Sequence, residues 1–208
     1  MNNDNTLVLA HYYTEPEVQK MADYVGDSLD LAQHAQREKP KRIVFAGVKF
    51  MAETAKILNP DTEVILPDSD STCSLVEQTD IIQLKAWSMQ YKDHTHFMYI
   101  NSSAKMKALA DVIVTSRIVD DVVAAEYAKG NKVIFSPDRN MGAYLNYQYG
   151  YNMPTWSAVC EVHEKFKADE LKRAMRGWTD GGKFVLAHPE SPLPVLEMAD
   201  YVLSLIHI

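Results

Sequence analysis

Cysteine is scarce in this 208-residue chain, which holds only Cys73 and Cys160. Two thiols are most simply incidental or buried residues, and composition alone goes no further. Long apolar runs are missing too: no stretch approaches the roughly 20 residues that span a bilayer. The basic-then-apolar pattern of a leader peptide is likewise not found, since the chain opens Met-Asn-Asn-Asp-Asn-Thr. These absences point to the cytoplasm and away from a membrane. Basic clusters are lacking apart from Lys39-Pro40-Lys41-Arg42, which precedes a predicted strand as a solvated turn, and the formal charge is −7. Such a balance argues against a nucleic-acid partner. An anionic small molecule stays open, because local helix N-termini rather than net charge would bind it. What is present is ordinary for a globular protein: 47% apolar and 24% charged residues, enough chain for one or two cored domains.

One stretch occurs twice. Leu9-Ala10-His11 leads into Ala22-Asp23-Tyr24-Val25, and Leu186-Ala187-His188 leads into Ala199-Asp200-Tyr201-Val202, at a constant offset of 188−11 = 177. A looser copy lies midway, where Phe97-Met98-Tyr99-Ile100 runs into Asn101 and later Ala110-Asp111-Val112, with steps of 101−11 = 90 and 188−101 = 87. A period near 90 is too long for a solenoid unit and suits a small βα domain. The expectation is an α/β chain of three repeated Rossmann-like βα domains, each with a parallel three- to four-stranded sheet, spanning 6–92, 93–176 and 177–208, the last incomplete.

Continuous apolar runs without alternation read as buried parallel strands. They are Thr6–Ala10, Ile43–Gly47 and Val64–Pro67, then Phe97–Ile100, Val112–Thr115 and Val133–Ser136, then Phe184–His188 and Tyr201–Leu203. Helical spacing predicts one helix from Pro16 to about residue 37, interrupted at Gly26-Asp27-Ser28, and others over 50–58, 75–91, 104–110, 119–128, 141–149 and 161–175. The Gly26 interruption reads either as a close-packed crossing or as a site where Ser28 reaches a ligand. In parallel sheets ligands sit beyond the carboxyl ends of the strands, where this chain places His11, Gly47, Asn101, Ser116, Asp138 and His188.

Both cysteines are predicted at helix starts, where dipole and free N–H groups favour a thiolate. Their separation, 160−73 = 87, equals one repeat step, so a shared role is expected. Three such domains around a pseudo-threefold axis would gather three thiols, one short of the four that close an iron–sulfur cluster, leaving one iron open as a Lewis acid. Zinc held by Cys and His, or no metal, accounts for two cysteines equally well.

Longer motifs carry a resemblance. Leu9-Ala10-His11-Tyr12-Tyr13 with Pro16-Glu17-Val18-Gln19, Val25-Gly26-Asp27-Ser28-Leu29, Phe50-Met51-Ala52-Glu53-Thr54-Ala55, Cys73-Ser74-Leu75, Tyr99-Ile100-Asn101, Pro137-Asp138-Arg139-Asn140, Cys160 with Val162-His163-Glu164-Lys165-Phe166, and Ala187-His188-Pro189-Glu190 resemble the quinolinate synthase family, colinearly from about residue 7 to 202. The resemblance implies a central site with a 4Fe-4S cluster ligated by one cysteine per domain. It implies condensation of iminoaspartate with dihydroxyacetone phosphate to quinolinate in NAD biosynthesis, with L-aspartate oxidase or aspartate dehydrogenase supplying the iminoaspartate. Carried over by position, Cys73 and Cys160 are cluster ligands. His11, Ser28, Ser116 and His188 bind carboxylate or phosphate groups, and Tyr13, Tyr99, Asn101 and Glu190 position the intermediate and move protons.

Two departures accompany it. Ser191 stands where many members have a cysteine that is not a cluster ligand, and Leu203–Ile208 breaks from the family pattern before a third cysteine. Those six residues are expected to be non-native, and the chain to be an inactive fragment without the third ligand. Two other readings rank below the synthase. One is a non-catalytic small-molecule-binding βα module. The other is a Cys160–His163 hydrolase, disfavoured because i,i+3 neighbours rarely supply the orienting third group that such a site needs.

Overall fold

The computed structural model describes residues 5–178 and 183–204. The expected non-native stretch therefore lies outside the described residues from position 205 onward. The chain divides into two compact units, Met1–Cys73 and Ser74–Ile208.

The first unit is an all-parallel four-stranded sheet in the order β2-β1-β3-β4. Its elements run β1 (Thr6–His11), α1 (Pro16–Met21), β2 (Tyr24–Gly26), α2 (Ser28–Glu38), β3 (Arg42–Ala46), α3 (Lys49–Leu58) and β4 (Glu63–Ile65). Leu9, Ala10, Ile43 and Phe45 are fully buried on the sheet, and Leu31, Ala32, Ala35, Met51 and Ala55 cover it from α2 and α3. Helical covering of a parallel sheet is what the unbroken apolar strands demand.

The single helix predicted from Pro16 to residue 37 is corrected. It is two helices with strand β2 between them. Asp23 N–H donates to Val8 O at 2.8 Å, and Val8 N–H donates back to Asp23 Oδ2 at 2.8 Å, so the chain is captured alongside β1 before it can continue as a helix. Asp27 then starts α2, its carboxylate accepting from Leu29 N–H (2.9 Å) and Asp30 N–H (2.8 Å), an N-cap that satisfies two otherwise orphan donors. A Cβ on Gly26 would meet Asp30 Oδ2 at 2.6 Å, which accounts for the glycine by close approach.

The second unit contains a three-stranded parallel sheet, order β6-β5-β7, and a two-stranded parallel pair, β8-β9. Its elements are α4 (Ser74–Glu77), α5 (Ile81–Ser88), β5 (His94–Tyr99), α6 (Ala104–Lys107), β6 (Val112–Val114), α7 (Val119–Ala128), β7 (Lys132–Ser136), α8 (Arg139–Tyr149), a 3-10 turn (His163–Lys165), α9 (Ala168–Arg176), β8 (Leu186–Ala187), α10 (Leu193–Leu196) and β9 (Tyr201–Val202). Phe97, Met98, Val114, Val123, Val133, Phe135, Met141 and Leu145 form its core.

Two more predicted helices are corrected. The 75–91 helix is α4 and α5, parted where Asp80 caps the second through Ile82 N–H and Gln83 N–H. The 161–175 helix is a 3-10 turn followed by α9, so Cys160 precedes an irregular turn rather than a helix start. The run 153–158 lies against β7: Phe135 N–H donates to Pro154 O, Trp156 N–H to Phe135 O, and Arg139 N–H to Ala158 O, at 2.8–2.9 Å.

The Asp23 clamp recurs. His96 N–H donates to Asp111 Oδ2 and Val185 N–H to Asp200 Oδ2, each at 2.8 Å, with the return bonds Asp111 N–H to His96 O and Asp200 N–H to Val185 O. The register steps are therefore 96−8 = 88 and 185−96 = 89. This corrects the looser sequence alignment: Tyr99, not Asn101, takes the strand-end place of His11 and His188. The cysteine separation of 87 matches neither step, so the argument from equal spacing falls away.

Candidate functional site

The clamp register sorts the predicted site residues into places. His11, Tyr99 and His188 each stand three residues past the clamped N–H. Tyr13, Asn101 and Glu190 stand two further on. Ser28 and Ser116 share a third place, since 28−11 = 17 and 116−99 = 17; its counterpart at 205 lies outside the described residues.

In the first unit His11 ends β1 at 2% exposure. Its Nδ1 lies 3.4 Å from Tyr13 N–H, and the two rings pack at 3.8 Å between centroids. Burial pushes the imidazole down to about 4, so it is neutral at pH 7. Tyr13 is largely exposed, with its hydroxyl donating to Met51 Sδ at 3.6 Å. Ser28 is the buried first residue of α2. Cys73, half-buried and not in a disulfide, ends this unit.

In the second unit the residues converge on Glu190, which is 2% exposed. His163 Nδ1 lies 2.8 Å from Glu190 Oε2, and Asn101 Nδ2 donates to Oε1 at 3.1 Å. The Tyr99 hydroxyl hydrogen-bonds the same carboxylate and Ser116. Asn140 Nδ2 donates to the Glu190 carbonyl oxygen at 3.0 Å. The ring of His188 stacks on His163 at 5.0 Å, and Glu190 N–H points to His188 Nδ1 at 3.4 Å. Cys160 Sγ, half-buried, is 3.2 Å from His163 Nδ1.

Several backbone anchors set this geometry. Lys107, buried on α6, donates from Nζ to Ile100 O at 2.8 Å and also to Ser102 O, the carbonyls on either side of Asn101. Ser74 Oγ accepts from Glu161 N–H at 3.0 Å and donates to Val159 O at 3.3 Å, bracketing Cys160. Gly142 allows α8 to lie against the segment leading to Cys160, since a Cβ there would meet Thr155 Cγ2 at 2.3 Å.

The electrostatics follow from burial and pairing. Burial raises the Glu190 carboxyl, but the hydrogen bond from His163, the charges of His188 and His163 and the Tyr99 hydroxyl outweigh it and lower its pKa. Burial likewise opposes charge on His163, yet its hydrogen bonds to Cys160 and Glu190 prevail and hold it up at about 10. Burial lowers His188, only partly offset by Glu190. Burial and the Glu190 charge push the Tyr99 phenol well above its ordinary value. Asp138 caps α8 through Met141 N–H at 2.8 Å while its other oxygen, Oδ2, is buried without a hydrogen-bond partner. Burial first, then Glu190, raises its carboxyl well above the usual range.

His163 and Asn140 belong to this cluster and were not among the predicted site residues, whereas Asp138 stands in the predicted strand-end polar set. The signal for His163 lay in its Cys160-x-x-His spacing, set aside for want of a third group. Glu190 supplies one, from a segment 190−163 = 27 residues on. Both contacts nevertheless fall on Nδ1, whereas a nucleophile relay uses one ring nitrogen for the thiol and the other for the carboxylate. The arrangement therefore holds a charged imidazole and a thiol beside a buried carboxylate, and is not built as a hydrolase triad.

Among the described residues no helix is long and apolar enough to cross a membrane. Residues 1–208 match the family model described as quinolinate synthetase A protein. Curated relatives named quinolinate synthase include those of Prosthecochloris aestuarii, 43% identical over 198 residues, Microcystis aeruginosa, 45% over 205, and Chloroherpeton thalassium, 45% over 198. Each alignment covers 95% of this chain and 61% of the relative. The strand-end residues gathered around Glu190 thus sit in a chain that belongs to the quinolinate synthetase A protein family.

Proposed function

We propose that this chain carries part of a quinolinate synthase site, for condensation of iminoaspartate with dihydroxyacetone phosphate to quinolinate in NAD biosynthesis. The observation that carries the reading is the buried Glu190 carboxylate, held at once by Tyr99, Asn101 and His163. A carboxylate fixed on both oxygens beside an imidazole is poised for proton transfer, provided substrate replaces one of its partners. In this reading Glu190 takes and returns protons on the condensing intermediate, and Tyr13, Tyr99 and Asn101 position it. His11, Ser28, Ser116 and His188 receive carboxylate or phosphate oxygens through imidazole N–H and hydroxyl donors. His163, held up at about 10 by its bonds to Cys160 and Glu190, adds a cationic group beside that carboxylate.

The two thiols fit iron: both are half-buried, neither is in a disulfide, and the donors are the soft ligands such clusters take. Cys73 and Cys160 would each supply one thiolate to a 4Fe-4S cluster, which when bound supplies a Lewis acid for loss of a hydroxyl group. We further infer three βα domains over 6–92, 93–176 and 177–208, a cytoplasmic location, and an upstream oxidation of aspartate by L-aspartate oxidase or aspartate dehydrogenase. The chain spans about 61% of the length of these relatives, and the site reading concerns the residues present.

The test is quinolinate formation from iminoaspartate and dihydroxyacetone phosphate by the anaerobically reconstituted product of the gene carrying this sequence. Glu190→Gln is expected to lower kcat by about 10²–10⁴-fold, the usual range for a lost acid–base group. Unchanged turnover in that variant would remove Glu190 from the chemistry.

A further inference from the structure

Asp138 carries a carboxyl that the fold does not require. It stands between β7 and α8 at 0% exposure. Its Oδ1 accepts from Met141 N–H at 2.8 Å, while Oδ2 is buried without a hydrogen-bond partner. The internal repeat shows what the same place does without it. Leu9 and Phe97 share the clamp register, Leu9 pairs with Phe45, and Phe97 pairs with Phe135. Val48 is therefore the counterpart of Asp138, and α3 and α8 each begin at the next residue, Lys49 and Arg139. Val48 starts α3 with no side-chain cap. A helix forms at this place without a carboxyl group, and a buried oxygen left without a partner is costly to keep.

We propose that Asp138 is a further substrate-binding residue of the site around Glu190: as a carboxylic acid, it donates a hydrogen bond from Oδ2 to a carboxylate oxygen of the substrate. The assignment deepens the synthase reading and rests on it.

The surroundings decide which of the two carboxyls keeps a proton. Glu190 receives donors on both oxygens, from Asn101 and His163, and a further one from Tyr99. Asp138 Oδ2 receives none, and two buried carboxyls in one site do not both hold charge. Burial first and Glu190 second raise the Asp138 carboxyl well above its ordinary range, against the backbone N–H groups of Met141 and Asn140 and the charge of His163. The Tyr99 phenol on β5 feels the Asp138 charge in turn.

An ionised Asp138 would repel a substrate carboxylate. The neutral acid instead meets it with an O–H···O⁻ bond, one of the short and strong kinds. Asp138 also lies beyond the carboxyl end of β7, where ligands gather in a parallel sheet. Surroundings that push two carboxyls apart give them different tasks: Glu190 moves protons, and Asp138 holds the molecule on which it acts.

Infrared spectroscopy of this chain without substrate is expected to show, at pH 7, the carbonyl stretch of a protonated carboxylic acid that Asp138→Asn removes. Calorimetry with quinolinate then uses the anaerobically reconstituted product of the gene carrying this sequence. Asp138→Ser keeps a side-chain cap for α8 and loses Oδ2. It should weaken quinolinate binding by about 10–150-fold, the range for a lost hydrogen bond to a charged group. Asp138→Asn keeps an acceptor for Met141 N–H and sets an N–H donor in the place of Oδ2, so it should bind within about threefold of wild type. A wild-type chain without the infrared band, unchanged binding in Asp138→Ser, or equal loss in both variants with the fold retained by circular dichroism would overturn the assignment. Failure of the wild type to bind quinolinate, with the band present, would instead sink the synthase reading, and the ligand named here with it.

Discussion

Nδ1 of His163 stands 2.8 Å from Oε2 of Glu190, and the same nitrogen is 3.2 Å from Cys160 Sγ. Burial works against charge on this imidazole, and the two hydrogen bonds overcome it to bring His163 to about 10. A folded-state pKa above the unfolded value of about 6.5 means that the stabilisation is fully present below pH 6.5 and is lost as pH rises through about 10. Nuclear magnetic resonance of the His163 ring should show it protonated at pH 8. In Glu190→Gln its titration midpoint should fall, and an unmoved midpoint would contradict the pairing.

His11 behaves in the opposite sense. Burial lowers it to about 4, so between pH 6.5 and 4 the unfolded chain binds a proton that the folded chain refuses. The native state keeps its full contribution above pH 6.5 and loses it as pH falls towards 4, by at most about 3 kcal/mol at 1.36 kcal/mol per unit. Denaturant melts of wild type and His11→Phe at pH 7 and 4.5 check this: the variant should lose less stability on acidification. Parallel losses would refute it.

The aspartate clamps carry their own cost. Asp111→Ala removes the acceptor for His96 N–H and should destabilise the chain by about 1–2 kcal/mol, with Asp111→Asn milder because it keeps an acceptor oxygen. Thermal melts giving both variants wild-type stability would show that the clamp is idle.

Gly142→Ala sets helix propensity, which favours alanine by about 1 kcal/mol, against the 2.3 Å approach of a new Cβ to Thr155 Cγ2. The approach should prevail, with a net loss of about 1–3 kcal/mol. Thr155→Ser, which deletes that methyl, should recover part of it. A Gly142→Ala chain more stable than wild type would reverse the argument.

Lys107→Met should cost about 1–3 kcal/mol, since it takes the ammonium donor from the buried carbonyl oxygen of Ser102 and leaves Ile100 O with the Ser102 N–H alone. The Asn101 loop between them should then show faster amide exchange, whereas unchanged protection of residues 100–102 would count against the role of Lys107.

The parallel βα class was legible because buried strands such as Leu7–Ala10 and Val133–Phe135 are continuous apolar runs, and α7 matched its predicted span because its apolar spacing is unbroken. Strand β2 was not legible. Tyr24-Val25-Gly26 fits helical spacing as well as strand, and only the reciprocal Asp23–Val8 bonds, 15 residues apart in sequence, decide between them. The two copies of Ala-Asp-Tyr-Val carry different expectations, helix at 22–25 and strand at 201–202, yet Tyr24-Val25 and Tyr201-Val202 both lie in strands. Short elements carry too little periodicity to outvote one long-range contact.

What the sequence determined by itself is the family, the βα alternation and most of the polar strand-end residues, because each is encoded locally in motif and apolar run. Tertiary structure alone decided that Tyr99 shares the place of His11 and His188, that Cys160 precedes an irregular turn, and that His163 turns one nitrogen to both Cys160 and Glu190. Those outcomes depend on hydrogen bonds between segments distant in sequence, and on burial that sets which groups keep their charge, neither of which is written in the spacing of residues along the chain.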